Sequence, residues 1–177
     1  SPTPFIRVGT NLESFAKYSD AGVNVGMGTD TFPSDMVQEM RLAAFMAKSQ
    51  ERTTYRTRGR DIFNAATING AKALGRSDLG RLCEGAMADF SIVDLSTIEM
   101  TPSRDIIKSI VYSGTRHSIS RVYVEGKCVV QDGMACGINE KSLCEELQAL
   151  GEEAWKKLKT HDGKLMDEFY PMSFEKL

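Results

Sequence analysis

One stretch, GVNVGMGTDTFPSDM from Gly22 to Met36, limits the fold most strongly because a run of small and apolar residues stops abruptly at an acid. Val23 and Val25 alternate with small residues, and this pattern predicts a central strand, Val23 to Gly28, buried on both faces. Asp30 follows directly. α/β barrels and doubly wound sheets place their chemistry at the carboxyl ends of parallel strands. Asp30 is therefore the candidate functional residue.

A purely local role for Asp30 is the alternative. Asp side chains often close a turn or accept hydrogen bonds from nearby residues. Asp30 would then cap the turn into the next helix, or accept a hydrogen bond from Thr29 or Thr31. The Thr-Asp pair alone does not separate the two roles.

Helical patterns flank the predicted strand. Asn11 to Ala21 carries apolar residues on one face, and Gly22 is placed to end that helix. Asp35 is a good N-cap, with Gln38 at the capping-box position, and a helix should follow to about Lys48. A further helix is predicted in DIFNAATINGAKALG, ending at Gly75. Helices around a buried strand indicate an α/β fold.

From Gly80 the periodicity changes from helical to two-residue. ADFSIVDL predicts one strand, and ISRVYVEGKCVVQDG predicts a β-hairpin that turns at Glu125 and Gly126. These strands should form a sheet separate from the Val23 strand. A helix is expected in SRDIIKSIVYSG, a long amphipathic helix from Asn139 onward, and an extended arm in the tail DGKLMDEFYPMSFEKL.

Composition excludes several classes of protein. Lys and Arg total 22 and Asp and Glu total 24, a net charge of −2 that gives no field for nucleic acid or an anionic membrane. The four cysteines include no CxxC pair, which argues against a zinc finger or a disulfide framework and suggests reduced thiols. No apolar run reaches the roughly 18 residues of a membrane helix. We expect a cytoplasmic protein.

Three blocks resemble one family in the correct order. AGVNVGMGTD is similar to the last barrel strand of the amidohydrolase superfamily, AATINGAKALG to its closing helix, and LGRLCEGAMADFSIVD with RVYVEGKCVVQDG to its small β domain. The resemblance is strongest to the branch of cytosine and nucleoside deaminases and triazine chlorohydrolases. It implies the C-terminal portion of a metal-dependent (β/α)8 barrel, part of a small β-sandwich domain and a C-terminal helix. The implied ranges are 1–77 for the last barrel strand and helices, 78–136 for the small β domain, and 137–177 for the C-terminal helix and tail.

The resemblance also implies a chemistry. In that branch the carboxylate after strand eight is a metal ligand and proton shuttle, and Asp30 is the matching residue. The metal would be divalent, zinc or iron, and would lower the pKa of its bound water to about 7. Thr31 and Ser34, on the same turn, are the candidate substrate contacts. The implied substrate is a small heterocycle, but TFPSDM after Asp30 departs from the deaminase pattern and leaves its identity open.

The remaining metal ligands are not evident in this chain. The family's further ligands are histidines on earlier strands, whereas the two histidines here are His117, expected at a helix end or facing solvent, and His161, expected at a helix C-terminus. We therefore expect a C-terminal fragment that is inactive alone. Uncovered barrel edges would make it a homo-oligomer.

Two other functions remain as alternatives. The first is a non-catalytic module that self-associates. The second is a nucleotide-binding module built on GVNVGMG, although its glycines match neither the dinucleotide nor the P-loop spacing.

Overall fold

The computed structural model describes residues 1–161. These residues contain a four-stranded antiparallel sheet and seven α-helices. The chain divides into two compact units, the first from Ser1 to Cys136 and the second beginning at Gly137. The tail predicted as an extended arm, residues 162–177, lies outside the described residues.

Six helices belong to the first unit: α1 (Pro2–Arg7), α2 (Phe15–Asp20), α3 (Met36–Glu51), α4 (Gly59–Ala65), α5 (Ile68–Ala73) and α6 (Ile106–Ser113). The prediction for α3 is confirmed, because the Asp35 carboxylate accepts hydrogen bonds from the backbone N–H groups of Val37 and Gln38, each at 3.0 Å. The helix predicted from Asn11 is shorter and begins at Phe15.

Two helix predictions need correction. The single helix expected through DIFNAATINGAKALG is two helices, α4 and α5, because the backbone leaves the helical region at Thr67 (φ −130°, ψ −96°). The Thr67 hydroxyl instead donates to the Phe63 carbonyl at 2.8 Å. At the N-terminus, for which no helix was predicted, Pro2 to Arg7 form α1. Proline favours the first turn of a helix, where its missing N–H has no partner to lose.

The predicted strand at Val23 to Gly28 is wrong for the chain as described, since these residues carry no regular secondary structure. A strand needs the backbone of a neighbouring strand, and none of the strands within residues 1–161 pairs with this segment. Its polar groups bond instead to α4 and α5. The Met27 N–H donates to the Ala65 carbonyl at 2.9 Å, and the Asn69 side-chain amide donates to the Val25 carbonyl at 2.9 Å.

The small sheet contains the three predicted strands and a short fourth one that was not predicted. It runs in the order β1 (Phe90–Val93), β2 (Ile119–Val124), β3 (Lys127–Gln131), β4 (Met134–Ala135), and every neighbouring pair is antiparallel. The β2–β3 hairpin turns at Glu125 and Gly126, both with positive φ (50° and 76°), as a tight primed turn requires. The Asp89 carboxylate fixes this turn by accepting a hydrogen bond from the Glu125 N–H at 2.7 Å.

The core of the first unit lies between α3, α4 and α6. Its buried apolar residues are Val37, Met40 and Ala44 from α3, Ile62 from α4, Met100, and Ile110 and Val111 from α6. From the sheet, Val93 and Ile119 pack against this cluster. The helices therefore bring the sheet and the segment before α3 to one apolar centre.

The second unit contains the long helix predicted after Asn139, α7 (Glu140–His161). The Asn139 side-chain oxygen caps it by accepting a hydrogen bond from the Ser142 N–H at 3.1 Å. Among the described helices, none is long and apolar enough to cross a membrane.

Candidate active site

The candidate site is the turn from Thr29 to Ser34, called here the Asp30 turn, which joins the Val23 to Gly28 segment to α3. Asp30 has a left-handed backbone conformation, φ 48°, and is solvent-exposed. Such a conformation is uncommon outside glycine, although Asp and Asn tolerate it better than other residues. The acid therefore sits where the chain turns sharply.

Neither local role proposed for Asp30 is present. Asp35, not Asp30, caps α3. In residues 1–161 the Asp30 side chain accepts no hydrogen bond from Thr29, Thr31 or any other described group. Its carboxylate oxygens are therefore open to solvent or to a ligand.

Two hydrogen bonds from Arg7, the last residue of α1, hold the residues that follow Asp30. Its guanidinium donates from Nη1 to the Thr31 hydroxyl oxygen and from Nη2 to the Phe32 carbonyl, both at 2.7 Å. A guanidinium presents rigid, planar donors, so two bonds from one group fix both position and orientation. Arg7 thereby anchors the two residues that follow Asp30.

Thr31 and Ser34 lie together on the turn, as their sequence positions require. The Ser34 hydroxyl donates to the Thr31 carbonyl at 3.3 Å, while the Thr31 hydroxyl oxygen accepts from Arg7. Because a hydroxyl has one donor and two acceptor lone pairs, Thr31 keeps a free O–H and Ser34 keeps free lone pairs. Their role as substrate contacts stays a prediction.

A buried acid near the turn was missed by sequence reasoning. Glu39 on α3 is 1% exposed, and it accepts a hydrogen bond from the Thr3 N–H of α1 at 3.2 Å. An acid in the first turn of a helix is also typical of an exposed, dipole-favoured residue, so the sequence carried no signal for its burial. Glu39 therefore ties α1, which carries Arg7, to α3.

The histidines lie elsewhere. His117 is exposed on the short 3₁₀ turn Arg116–Ser118, as expected for a solvent-facing residue, and His161 falls at the end of α7. The described residues contain no group of three or more His, Cys, Asp or Glu side chains placed to hold a metal ion. Zinc sites use three or four protein ligands, so a single carboxylate at Asp30 does not by itself fit such an ion.

Residues 4–129 match the sequence model of a protein family described as "Amidohydrolase family". The chain belongs to the amidohydrolase family. The matched range includes the Asp30 turn and most of the small sheet.

Curated relatives are deaminases. The chain is 32% identical over 157 residues to a 5'-deoxyadenosine deaminase of Methanosarcina mazei, covering 86% of this chain and 36% of the relative. It is 30% identical over 149 residues to a 5-methylthioadenosine/S-adenosylhomocysteine deaminase of Pyrococcus furiosus, covering 82% and 35%. This amidohydrolase chain thus spans about a third of the length of the curated relatives it matches.

Solved structures of a deaminase and a chlorohydrolase superpose on this chain. A zinc-bound adenosine deaminase of Xanthomonas campestris superposes with a TM-score of 0.80 at 27% identity, over 86% of this chain and 36% of that one. A zinc complex of atrazine chlorohydrolase from Arthrobacter aurescens superposes with a TM-score of 0.73 at 27% identity, over 83% and 34%. The α/β fold with its small antiparallel sheet therefore matches amidohydrolase structures.

Proposed function

We propose that this chain forms the C-terminal part of a metal-dependent hydrolase that acts on carbon–nitrogen bonds other than peptide bonds. The reaction would be deamination or dechlorination of a small heterocycle by water, with Asp30 as the proton-transferring carboxylate. The observation that carries the proposal is the state of Asp30, which is exposed and has no partner within residues 1–161. The deaminase relatives support the reaction class.

A carboxylate without a hydrogen-bond partner suits this chemistry. It can accept a proton from water as that water attacks an electron-poor ring carbon, and can then deliver the proton to the leaving nitrogen. A carboxylate committed to capping a helix would lose part of this capacity. Asp35 performs the capping, which leaves Asp30 available.

The substrate contacts we propose are Thr31 and Ser34. Their remaining hydrogen-bonding capacity is one donor from Thr31 and acceptor lone pairs from Ser34. A heterocycle with a ring nitrogen next to an exocyclic amine offers one acceptor and one donor, and so complements this pair. Arg7 keeps Thr31 in place for that contact.

A divalent metal, zinc or iron, belongs to the proposal because the adenosine deaminase and atrazine chlorohydrolase neighbours bind zinc. Asp30 would supply one oxygen ligand. The other ligands would come from outside residues 1–161, since one carboxylate does not make a zinc site. The 177-residue chain alone should therefore be inactive.

We also propose that Val23 to Gly28 becomes a barrel strand when neighbouring strands pair with it. Residues 1–77 would then complete the barrel, 78–136 would contribute to a small β domain, and 137–177 would form a C-terminal appendage. Four hydrogen bonds hold this segment against the helices, joining Val23 to Tyr18, Met27 to Ala65, Asn69 to Val25 and Asn24 to Asn69. The backbone groups of this segment that make no hydrogen bond within residues 1–161 are available for strand pairing.

A non-catalytic, self-associating module is the alternative. It is favoured by α7, whose apolar side chains are exposed at Leu143, Leu147, Leu150 and Trp155. The first three recur at helical spacing and so form one stripe. Covering such an exposed apolar stripe with another protein surface would stabilise it, and a second copy of this chain is the simplest partner.

The proposed function is tested in the whole enzyme that contains this chain. Asp30→Asn should lower turnover by at least about a hundredfold, because an amide cannot accept the proton, with an unchanged melting temperature. Asp35→Ala is the matched control five positions away, and it should destabilise the fold by about 1 kcal/mol through loss of the α3 cap while preserving turnover. Assays would follow ammonia release from 5'-deoxyadenosine and chloride release from atrazine. Near-normal turnover of Asp30→Asn would refute the role of Asp30.

A further inference from the structure

A cavity of about 560 Å³ opens beside the C-terminal half of α3. Its walls come from α3, from the loop between α3 and α4, from the first residues of α4 and from α6. Gly59, the first residue of α4, lies directly against α6, because a Cβ atom added to it would be 3.7 Å from the Lys108 Cα and 3.5 Å from Tyr112 Cε2. Binding sites for small molecules are concave and measure roughly 300–1,000 Å³, so the cavity is large enough for such a ligand.

Positive charge is concentrated on the walls of this cavity. Four of the side chains that line it are cationic and one is acidic: Lys48, Arg58, Arg60 and Lys108 against Asp105. The whole chain, by contrast, carries a net charge of −2. A concave surface lined mainly by one sign of charge concentrates ligands of the opposite sign. The cavity therefore favours an anion.

Three of these charged groups already have partners within the fold. The Lys48 ammonium donates to three backbone carbonyls of the α3–α4 loop, at 2.5 to 3.0 Å. Arg58 forms an ion pair with Asp61 at 3.5 Å. The Asp105 carboxylate accepts a hydrogen bond from the Lys108 N–H at 3.0 Å, at the start of α6. These contacts shape the cavity and take up part of its charge.

Arg60 and Lys108 are the two cations that remain for a ligand. Both residues are exposed, and within residues 1–161 neither side chain makes a hydrogen bond or an ion pair. They belong to two helices, α4 and α6, that meet at Gly59. A phosphate monoester carries a charge of about −1.5 to −2 at pH 7, so it matches two cations better than a single carboxylate does.

Two aromatic rings line the same cavity. Phe45 of α3 and Tyr112 of α6 have ring centroids 5.8 Å apart and planes tilted by 43°. Phe45 is 53% exposed, so the pair leaves apolar ring surface uncovered in a cavity that also holds the two cations. Aromatic rings pack favourably against other planar rings in offset or tilted arrangements. A ligand that carries both a planar ring and an anion would use both kinds of wall.

We propose that this cavity binds a small aromatic phosphate monoester of the nucleoside monophosphate class. Arg60 and Lys108 bind the phosphate, with the planar guanidinium of Arg60 able to donate two N–H groups to it. The base packs against Phe45 and Tyr112. The site rests on residues of α3, α4 and α6 and does not depend on the proposed hydrolase function.

The experiment is equilibrium dialysis of the 177-residue chain, at a physiological salt concentration, against adenosine 5'-monophosphate, adenosine and ribose 5-phosphate. We expect the monophosphate to bind at least about tenfold more tightly than either of its parts, because each part uses only one kind of wall. This comparison uses the unmodified chain and so does not depend on the folding of any variant. Equal affinities for the monophosphate and adenosine, or no binding of the monophosphate at millimolar concentration, would overturn the proposal.

Two double variants with the same loss of charge locate the site. Arg60→Gln with Lys108→Gln should weaken binding of the monophosphate at least about tenfold, whereas Arg121→Gln with Lys72→Gln should not change it, because these two exposed cations lie outside the cavity. Phe45→Leu keeps an apolar side chain without an aromatic face, and it should lower the affinity toward that for ribose 5-phosphate. Equal weakening by the two double variants would show attraction to general surface charge and would overturn the proposal.

Discussion

The Arg7 guanidinium donates to the Thr31 hydroxyl across 24 positions of sequence, at 2.7 Å. This bond connects α1 to the residue after Asp30, and a second bond from the same group reaches the Phe32 carbonyl. Phe32 itself is 84% exposed, so its side chain contributes little packing to the turn. Arg7 is therefore the side chain that links the Asp30 turn to α1.

Arg7→Gln should loosen that turn. An intramolecular hydrogen bond contributes about 1 kcal/mol net, so its loss should speed local opening by about fivefold. Hydrogen exchange at the amides of Thr29 to Phe32, Ser34 and Asp35 measures this change, because the Asp35 N–H donates to the Pro33 carbonyl at 2.9 Å within the same turn. Arg60→Gln, an exposed arginine on α4, is the control and should leave those amides unchanged. Equal exchange in the two variants would show that Arg7 does not anchor the turn.

A side-chain hydrogen bond from Asn69 holds the segment Val23 to Gly28, which was predicted to be a strand. Its side-chain amide donates to the Val25 carbonyl at 2.9 Å in a partly buried position, whereas the Asn24 amide donates to the Asn69 carbonyl at 3.0 Å in an exposed one. Asn69→Ala should lower the free energy of unfolding by about 1 kcal/mol because it leaves a partly buried carbonyl unpaired. Asn24→Ala should cost less. Urea denaturation of both variants compares them, and an equal or larger loss for Asn24→Ala would contradict this assignment.

Local chemistry explains which elements could be predicted from the sequence. The α3 N-cap at Asp35 and the Glu125-Gly126 hairpin turn depend on residues within a few positions of each other, and both formed as expected. Val23 to Gly28 has a strand's alternation, but strand formation depends on the backbone of other strands, which the pattern does not contain. The break between α4 and α5 at Thr67 was hidden because the apolar spacing continues across it.

The candidate site, too, could be predicted only where it depends on residues close together in the sequence. Asp30 was predicted from its place after an apolar run and from a family resemblance. Its freedom from local partners, the Arg7 bonds to the turn and the burial of Glu39 all depend on how α1 packs on α3. Nothing in the sequence near Asp30 indicates that contact, because α1 lies more than twenty positions earlier.

A surface ion pair next to the small sheet should be visible in its titration. Arg76 donates from Nε and Nη2 to the two carboxylate oxygens of Asp78, at 2.8 and 2.7 Å, and these bonds lower the pKa of Asp78 to about 2. Because the folded-state pKa lies below the unfolded one, any stabilisation is present above pH 4 or so and is lost as pH falls toward 2.

Arg76→Gln should therefore return the Asp78 midpoint to about 3.9, the value for an unperturbed Asp. Carbon NMR of the side-chain carboxyl follows the titration directly. Arg60→Gln again serves as the control and should leave the midpoint low. A wild-type midpoint near 4 would show that the two bonds to Arg76 do not persist in solution.

The last prediction concerns the assembly and activity of the 177-residue chain. Two features favour association: the exposed apolar stripe of α7, and the backbone groups of Val23 to Gly28 that make no hydrogen bond within residues 1–161. We therefore expect dimers or larger species that bury about 1,000 Å² or more. Sedimentation velocity measures the mass. Leu147→Glu should shift the chain toward monomer by placing a charge in the stripe, whereas Gln148→Glu, the same added charge one position away, should not. The chain should show no deaminase or dechlorinase turnover, because Asp30 alone cannot assemble a metal site. A monomeric chain that held stoichiometric zinc and released ammonia from 5'-deoxyadenosine would contradict both the assembly and the activity predictions, and would require Asp30 to work with ligands from this chain.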